Sequence, residues 1–324
     1  MRRTRVRMNW GLGAPGTMIS VLITTYNALD YLRICVESLR RFSREEIQIV
    51  VYADGSAPAT LEYLQALPAE VLWRHEADNV GISRALNRIA DMATGDWMYF
   101  VNDDMAFASG WDSALLKHMT PNRVLTGTVV EPAQPNVGVA SCHIERDFGL
   151  TAEAFNLEAW ASEAEKLKED RCEPGINYPF LIEAELFRRI GGIDERFSGP
   201  VHDPDLFYRI ALAGAEMLRV RDSLCYHFSG RTLRFADGRA RVSEQWIKGE
   251  TEGKIAFLQK WGEKQRYSFG GVPYPGHGEP DRRWSLPKRV KLSLLARRYR
   301  RRAARQLARN AAMHDAATRV AENR

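Results

Sequence analysis

Gly95-Asp96-Trp97-Met98-Tyr99-Phe100-Val101-Asn102-Asp103-Asp104 is a short apolar run that breaks off into an amide and two carboxylates. The aromatic-rich stretch from Trp97 to Val101 reads as a buried strand, and the polar residues after it fall where such a strand leaves the core. In open α/β sheets ligands sit in the crevice beyond the carboxyl ends of the strands, so carboxylates at that edge can hold a divalent cation against a phosphate. Taken alone, Asn102-Asp103-Asp104 reads more readily as a polar turn, since Asn and Asp stabilise turns through side chain to backbone hydrogen bonds. The rest of the chain decides between the two.

Upstream, Ile19-Ser20-Val21-Leu22-Ile23 reads as a strand with Thr24-Thr25-Tyr26-Asn27 as the loop at its end. Leu29 to Phe42 follows as an amphipathic helix with Leu32, Val36 and Leu39 on one face. Ile47 to Tyr52 is a second strand running into Asp54-Gly55-Ser56, and strand, helix, strand implies a right-handed parallel crossover. A helix from Ala59 to Leu67, a strand Val71-Leu72-Trp73, a loop Asp78-Asn79-Val80-Gly81 and a helix from Ile82 to Met92 then lead to the Gly95 turn. Four strands ending in polar loops on one edge make a nucleotide-binding half.

The 324 residues, 45% of them hydrophobic, are ample for one large or two modest cores, which excludes disorder throughout. Cys35, Cys142, Cys172 and Cys225 are widely spaced without a Cys-x-x-Cys pair, so neither a zinc site nor a disulfide framework is expected. No run of about 18 apolar residues is present, and the basic N-terminus lacks an apolar segment after it. The expectation is a cytoplasmic protein in a reducing compartment, either free or peripheral at the inner face of a membrane. Residues 1–17 read as a mobile basic leader, and Met18 offers an alternative start.

The net charge of +5 is unevenly placed: residues 282–310 carry twelve Lys and Arg and no acid, and Arg2, Arg3, Arg5 and Arg7 add four more. Residues 8–281 together with 311–324 hold 30 basic and 41 acidic residues, so the body of the chain is acidic and any anionic partner belongs to the ends.

Downstream, Val124 to Val130 and Val137 to Ser141 read as strands, Ala152 to Lys168 as a helix with a charged face, Asn177 to Ile182 as a strand and Ala184 to Ile190 as a helix. Asp203-Pro204 has the form of an N-cap with Pro at the first helical position, and Gly214 would end that helix. Ser223 to Tyr226 is a strand with His227 in the loop after it. The Pro- and Gly-rich Gly270 to Gly278 lies in a linker over 266–286. From Pro287 a helix sets Leu292, Leu295, Tyr299, Ala303 and Leu307 in one stripe among Lys and Arg, a basic amphipathic helix over 287–324.

Taken in order, these motifs resemble the family 2 glycosyltransferases of the GT-A fold. The matching stretches are Ser20 to Asn27, Val50 to Ser56, Asn79-x-Gly81-x-x-x-Ala85-x-Asn87, Gly95 to Asp104, Gly191 to Phe197, His202 to Leu206, Cys225-Tyr226-His227 and Phe257 to Gly262. The resemblance covers residues 18–262 and implies a mixed, mainly parallel sheet. It divides residues 18–265 into a nucleotide-sugar-binding half, 18–119, and an acceptor-side half, 120–265, followed by the helical basic extension.

By the same resemblance, Thr25, Tyr26, Asn27, Asp54, Asn79, Gly81, Arg84 and Asp103 hold the nucleotide sugar, while Asp104 and His227 hold Mn²⁺ or Mg²⁺. Asp203 is the general base toward an acceptor hydroxyl, with inversion, and Asp205 is its rival. Two departures stand out: Asn102 replaces the first acid of an Asp-x-Asp motif, and His202-Asp203 stands where Glu-Asp is usual. The donor is expected to be UDP- or dTDP-linked and the acceptor a glycan, lipid, protein or nucleic acid. Two other functions fit parts of the chain: a nucleotidyltransferase of similar fold, and a nucleic-acid-binding protein working through the basic tail. That tail has Tyr299 but no aromatic series for base stacking, so an anionic membrane surface through 287–310, or nucleic acid, is expected as a docking site only.

Overall fold

The computed structural model describes residues 18–133, 142–197, 199–229, 242–268 and 271–322, the last ten of these as backbone only. The expected leader over 1–17 and the strand Val137 to Ser141 lie outside the described residues.

The N-terminal half alternates β1 (Ile19–Thr25), α1 (Leu29–Phe42), β2 (Ile47–Asp54), α2 (Pro58–Ala66), β3 (Leu72–Glu76), α3 (Ile82–Ala90) and β4 (Trp97–Asn102). The four strands are parallel in the order β3-β2-β1-β4. Their residues alternate between two buried faces. Ile19, Val21, Ile23, Val51, Tyr99 and Val101 meet α1 through Leu32, Cys35, Val36 and Leu39, while Leu22, Val50, Tyr52, Met98 and Phe100 meet α3 through Leu86 and Ile89. Burial on both faces is why these strands read as nearly continuous apolar runs. Gly95 admits the chain to β4 because a Cβ there would lie 2.4 Å from the Met18 carbonyl oxygen.

The second half contains β5 (Met105–Phe107), α4 (Trp111–His118), β6 (Arg123–Glu131), β7 (Ile144–Glu145), α5 (Leu157–Leu167), β8 (Cys172–Pro174), β9 (Phe180–Glu183), α6 (Ala184–Arg189), α7 (His202–Leu212), β10 (Glu216–His227) and α8 (Glu244–Trp261). β9 runs antiparallel between β4 and β6, β10 is parallel to β6, and β5 closes the far side antiparallel to β10. The result is the expected mixed, mainly parallel sheet. β10 is three times the length expected, carried past a register shift between Val220 and Leu224. α5 starts at Leu157 rather than Ala152, because the Asn156 side chain accepts the Ala159 N–H and caps the helix there.

Gly262, in the left-handed region at φ 65°, ends α8. A final helix, α9 (Leu286–Glu322), docks on α8. Leu292 is buried, and Leu295, Tyr299, Ala303 and Leu307 are half-buried. Leu292 and Ala296 face Ile255 and Leu258 of α8 across a shared groove. The apolar stripe that the sequence offered to a membrane is therefore turned inward. Among the described residues no helix is long and apolar enough to cross a membrane.

Candidate active site

Strand register assembles the site. β1 pairs Thr24 with Asn102 and Thr25 with Ala53, and β2 pairs Asp54 with Glu76, so the loops after β1, β2, β3 and β4 leave from one edge. They are laced together there. Ser56 Oγ donates to the Thr25 carbonyl at 3.1 Å, and Asn27, at φ 54°, accepts the Ala57 N–H on Oδ1 at 2.9 Å. The two oxygens of buried Asp54 accept the Val80 and Gly81 N–H groups at 2.7 and 3.1 Å, and Asn79 Nδ2 donates to the Asp54 carbonyl at 3.1 Å. This packing requires glycine at 55, where φ is +71° and a Cβ would stand 2.6 Å from the Asn79 nitrogen. Thr25, Tyr26, Asn27, Asp54, Asn79, Gly81 and Asp103 are thus brought to one edge. Arg84 pairs instead with Glu195, at 3.4 Å.

Asp103 and Asp104 are both buried. Burial, and then the Asp104 charge, push the Asp103 carboxyl up to about 8. β10 brings His227 to the same place as its last residue, not in a loop beyond the strand as expected. Antiparallel pairing sets His227 level with Met105, beside Asp104, and the Phe228 N–H donates to the Asp104 carbonyl at 3.0 Å. The imidazole Nε2 lies 3.3 Å from Asp104 Oδ1, and Nδ1 lies 2.7 Å from Glu131 Oε1. Burial disfavours the charged imidazole, yet Asp104 and Glu131 together outweigh it and raise its pKa to about 10.

The donor set suits a divalent cation. Among the described residues no three His, Cys, Asp or Glu side chains form a ready cage, but Mg²⁺-type sites that take phosphates commonly rest on one or two protein carboxylates. The His227 Nε2 is buried and makes no hydrogen bond while facing a carboxylate. It is one of several buried polar atoms without a hydrogen bond among the described residues, and such an atom calls for an explanation, an ion being one.

The second element at this edge is the start of α7. Because β9 is antiparallel to β4, Phe180 stands level with Phe100 and the chain before it, Tyr178, comes toward the carboxyl end of β4. The Tyr178 ring packs edge-on against His202 with centroids 6.0 Å apart. His202 Nδ1 is 2.8 Å from the Gly199 carbonyl, and Nε2 is 2.6 Å from Asp203 Oδ1. The helix begins at His202 with Val201 as N-cap, so Asp203 sits in the first turn and is not the expected cap. Gly214, at φ 74°, follows the end of the helix as expected.

The two candidate bases differ sharply. The Asp203 side chain is 30% exposed. Asp205 is fully buried, with Oδ2 bonded to Arg209 Nε at 2.9 Å and Oδ1 to Lys260 Nζ at 2.7 Å and Trp261 Nε1 at 2.8 Å. Sequence reasoning missed Glu131 and the contacts of His202. Glu131 had one signal: like Asp103, it is the first acid after an apolar run.

A model of the family described as glycosyl transferase family 2 matches residues 20–158. The uncharacterized glycosyltransferase YibD of Escherichia coli (strain K12) is 38% identical over 142 residues, 42% of this chain and 37% of that one. A PGL/p-HBAD biosynthesis glycosyltransferase of Mycobacterium bovis (strain BCG / Pasteur 1173P2) is 31% identical over 96 residues, 29% of this chain and 37% of that one. The chain thus spans just over a third of the length of these curated relatives. Among solved structures, GalNAc-T7 with UDP, GalNAc and Mn²⁺ superposes with a TM-score of 0.53 at 16% identity, over 77% of this chain and 49% of that one. The mannosyltransferase PcManGT from Pyrobaculum calidifontis, with GDP-Man and Mn²⁺, gives 0.50 at 16% identity, over 91% and 75%. The family match falls on residues 20–158, the strands that build the site, and the fold around them is that of the solved neighbours, so it is the family 2 glycosyltransferases that this chain resembles in sequence and in fold.

Proposed function

We propose that the protein transfers a sugar from a nucleoside diphosphate sugar to an acceptor hydroxyl, with inversion. The observation that carries this is the pairing of buried Asp104 with the hydrogen-bond-free Nε2 of His227 at the edge where the loops after the first four strands meet. Asp104 and His227 are the residues to hold Mn²⁺ or Mg²⁺, and the chemistry supplied there is neutralisation of the charge that gathers on the departing diphosphate. Thr25, Tyr26, Asn27 and the Asn79 to Gly81 loop wall the nucleotide, with Asp54 setting that loop by its hydrogen bonds. Asp103, on the other side of Asp104, lies toward the same donor, and Arg84 borders it from α3.

Asp203 takes the proton from the acceptor hydroxyl. It is the accessible member of the acidic pair on α7, and a positioned carboxylate within hydrogen-bond reach of the hydroxyl is what general base catalysis requires. Neither nucleotidyl transfer nor a nucleic-acid-binding role is favoured by the likenesses above. α9, with its apolar stripe against α8, presents a basic outer face to an anionic surface.

A panel of nucleotide sugars, each with Mn²⁺, tests the reading by thermal stabilisation and by product. A donor that binds the native state alone raises the melting temperature. Release of free nucleoside diphosphate supports glycosyl transfer, and release of pyrophosphate overturns it in favour of nucleotidyl transfer.

A further inference from the structure

Glu131 ends β6, a strand whose sequence carries none of the motifs above. Parallel pairing sets Val130 level with Tyr226, so Glu131 stands beside His227, just as the antiparallel β5 sets Asp104 on the other side of the same ring. The Glu131 side chain is 12% exposed and its two oxygens have different neighbours: Oε1 lies 2.7 Å from His227 Nδ1, and Oε2 lies 3.1 Å from His143 Nδ1. One imidazole is thereby held at Nδ1 while its Nε2 faces Asp104 without a hydrogen bond. In the neutral ring that binds a cation, a carboxylate at one nitrogen keeps the proton there and leaves the other nitrogen's lone pair for the cation.

The geometry points to Glu131 as the positioning residue of the cation site: it fixes the orientation of His227 so that Nε2 is delivered beside Asp104, and His143 braces Glu131 from behind. This rests on the cation reading above and adds to it a residue that touches neither donor nor acceptor. Glu131 acts through His227 alone, so removing it matters only while His227 is present.

The test is Mn²⁺ affinity, read by the loss of free-ion paramagnetic resonance signal for the protein alone and with UDP. The chains are the wild type, Asp104→Asn, His227→Ala, Glu131→Ala, Glu131→Gln and the double variant His227→Ala/Glu131→Ala. Glu131→Ala is expected to weaken Mn²⁺ binding about 10- to 100-fold, the usual cost of losing an outer partner of a metal-binding histidine. Glu131→Gln, whose amide oxygen still accepts the Nδ1 proton, is expected to stay within about tenfold of wild type. The double variant should bind no more weakly than His227→Ala. Wild-type affinity in Glu131→Ala, or an additional loss in the double variant, overturns the inference while leaving the cation reading standing. Absence of Mn²⁺ binding by the wild type removes both.

Should Glu131→Ala fail to fold, the contact is read directly in ¹⁵N-histidine protein. The His227 Nδ1 proton, assigned by its absence in His227→Ala, should lie downfield and move upfield in Glu131→Gln. An unmoved resonance overturns the inference.

Discussion

Two clusters of acids, one around Asp205 in the first turn of α7 and one at the carboxyl edge of the sheet, are finished differently. Around Asp205, three carboxylates meet three cations. Lys260 Nζ lies 2.6 Å from Asp194 and 2.7 Å from Asp205, Arg209 lies 2.9 Å from Asp205, and Arg196 bridges Asp194 and Asp281 at 2.6 Å each. At the carboxyl edge, Asp104 and Glu131 flank the single ring of His227, and Asp103 beside them is pushed up to about 8. Full ionic and hydrogen-bond pairing is what a buried charge needs to be structural. Buried acids with shifted pKa values beside an imidazole mark a site that waits for a ligand. The same contrast separates Asp203 from Asp205, two residues apart.

The largest effect expected from this contrast is at Asp104. Asp104→Asn should abolish Mn²⁺-dependent nucleotide-sugar binding, since an amide cannot balance a divalent charge. Titration calorimetry with Mn²⁺ and the donor, on a variant shown by a melt to be folded, checks this. Unchanged binding would mean that the edge cluster is only structural. At the next level, Asp203→Asn should slow turnover about 10²- to 10⁴-fold with donor affinity nearly intact. If Asp205→Asn is instead the slow variant in a fully folded chain, the assignment of the base is reversed.

Lys260→Met tests the finished cluster. Removing one member of a buried ionic group costs about 3–5 kcal/mol because its partners stay buried with uncompensated charge, and Lys260 is 5% exposed between Asp194 and Asp205. Urea unfolding should show that loss, with the slope unchanged, and Mn²⁺ affinity should not follow it.

The two clusters also differ in how readable they were. Of the four parallel strands, β1, β2 and β4 were legible because both of their faces are buried, which leaves apolar runs bounded by turn residues, and the loops after the four strands carry the motif residues that the structure brings together. The edge partners from the second half were not. Glu131 reaches His227 only through a pairing between strands almost a hundred residues apart, and β10 read short because Arg219, Arg221 and Asp222 interrupt it. Arg219 is nonetheless buried, held by Asn177 and Glu173. β5, three residues long, follows the carboxylates directly and is too short to show a period. In sequence Asp203 ranked above Asp205 on motif position only, because both lie in one helical turn, and burial is what distinguishes them in the structure.

A smaller effect separates the clusters by pH. Burial raises the Asp194 carboxyl, but hydrogen bonds from Arg196 and Lys260 outweigh it and hold the group below its ordinary range. A carboxyl lowered in the native state contributes stability that is complete above its unfolded value of about 4 and is lost as pH falls toward the lowered value. The melting temperature should therefore drop on acidification below about pH 4, and Asp194→Asn should flatten that limb while starting from a lower plateau. An acid limb as steep in the variant as in the wild type would show that this network carries no linked proton.

The smallest effects per residue are expected on α9, where charge is neither buried nor enclosed. Arg297, Arg298, Arg301, Arg302, Arg305 and Arg309 are exposed, while Arg300 pairs at the surface with Glu252 at 3.5 Å and Asn310 Nδ2 donates to the Val242 carbonyl at 3.1 Å. With Leu292 buried toward α8, attraction to an anionic bilayer has to be Coulombic, about 1 kcal/mol for each basic residue near the surface. Arg301→Gln should then weaken sedimentation with anionic vesicles about fivefold, and binding should vanish as salt shortens the screening length from about 30 Å at 0.01 M to about 8 Å at 0.15 M. Neutral vesicles should bind nothing. Binding that survives salt or extends to neutral lipid would mean that the apolar stripe leaves α8 and inserts. A protein that ignores anionic vesicles yet retards mixed-sequence DNA or RNA at low salt would assign the basic face to nucleic acid.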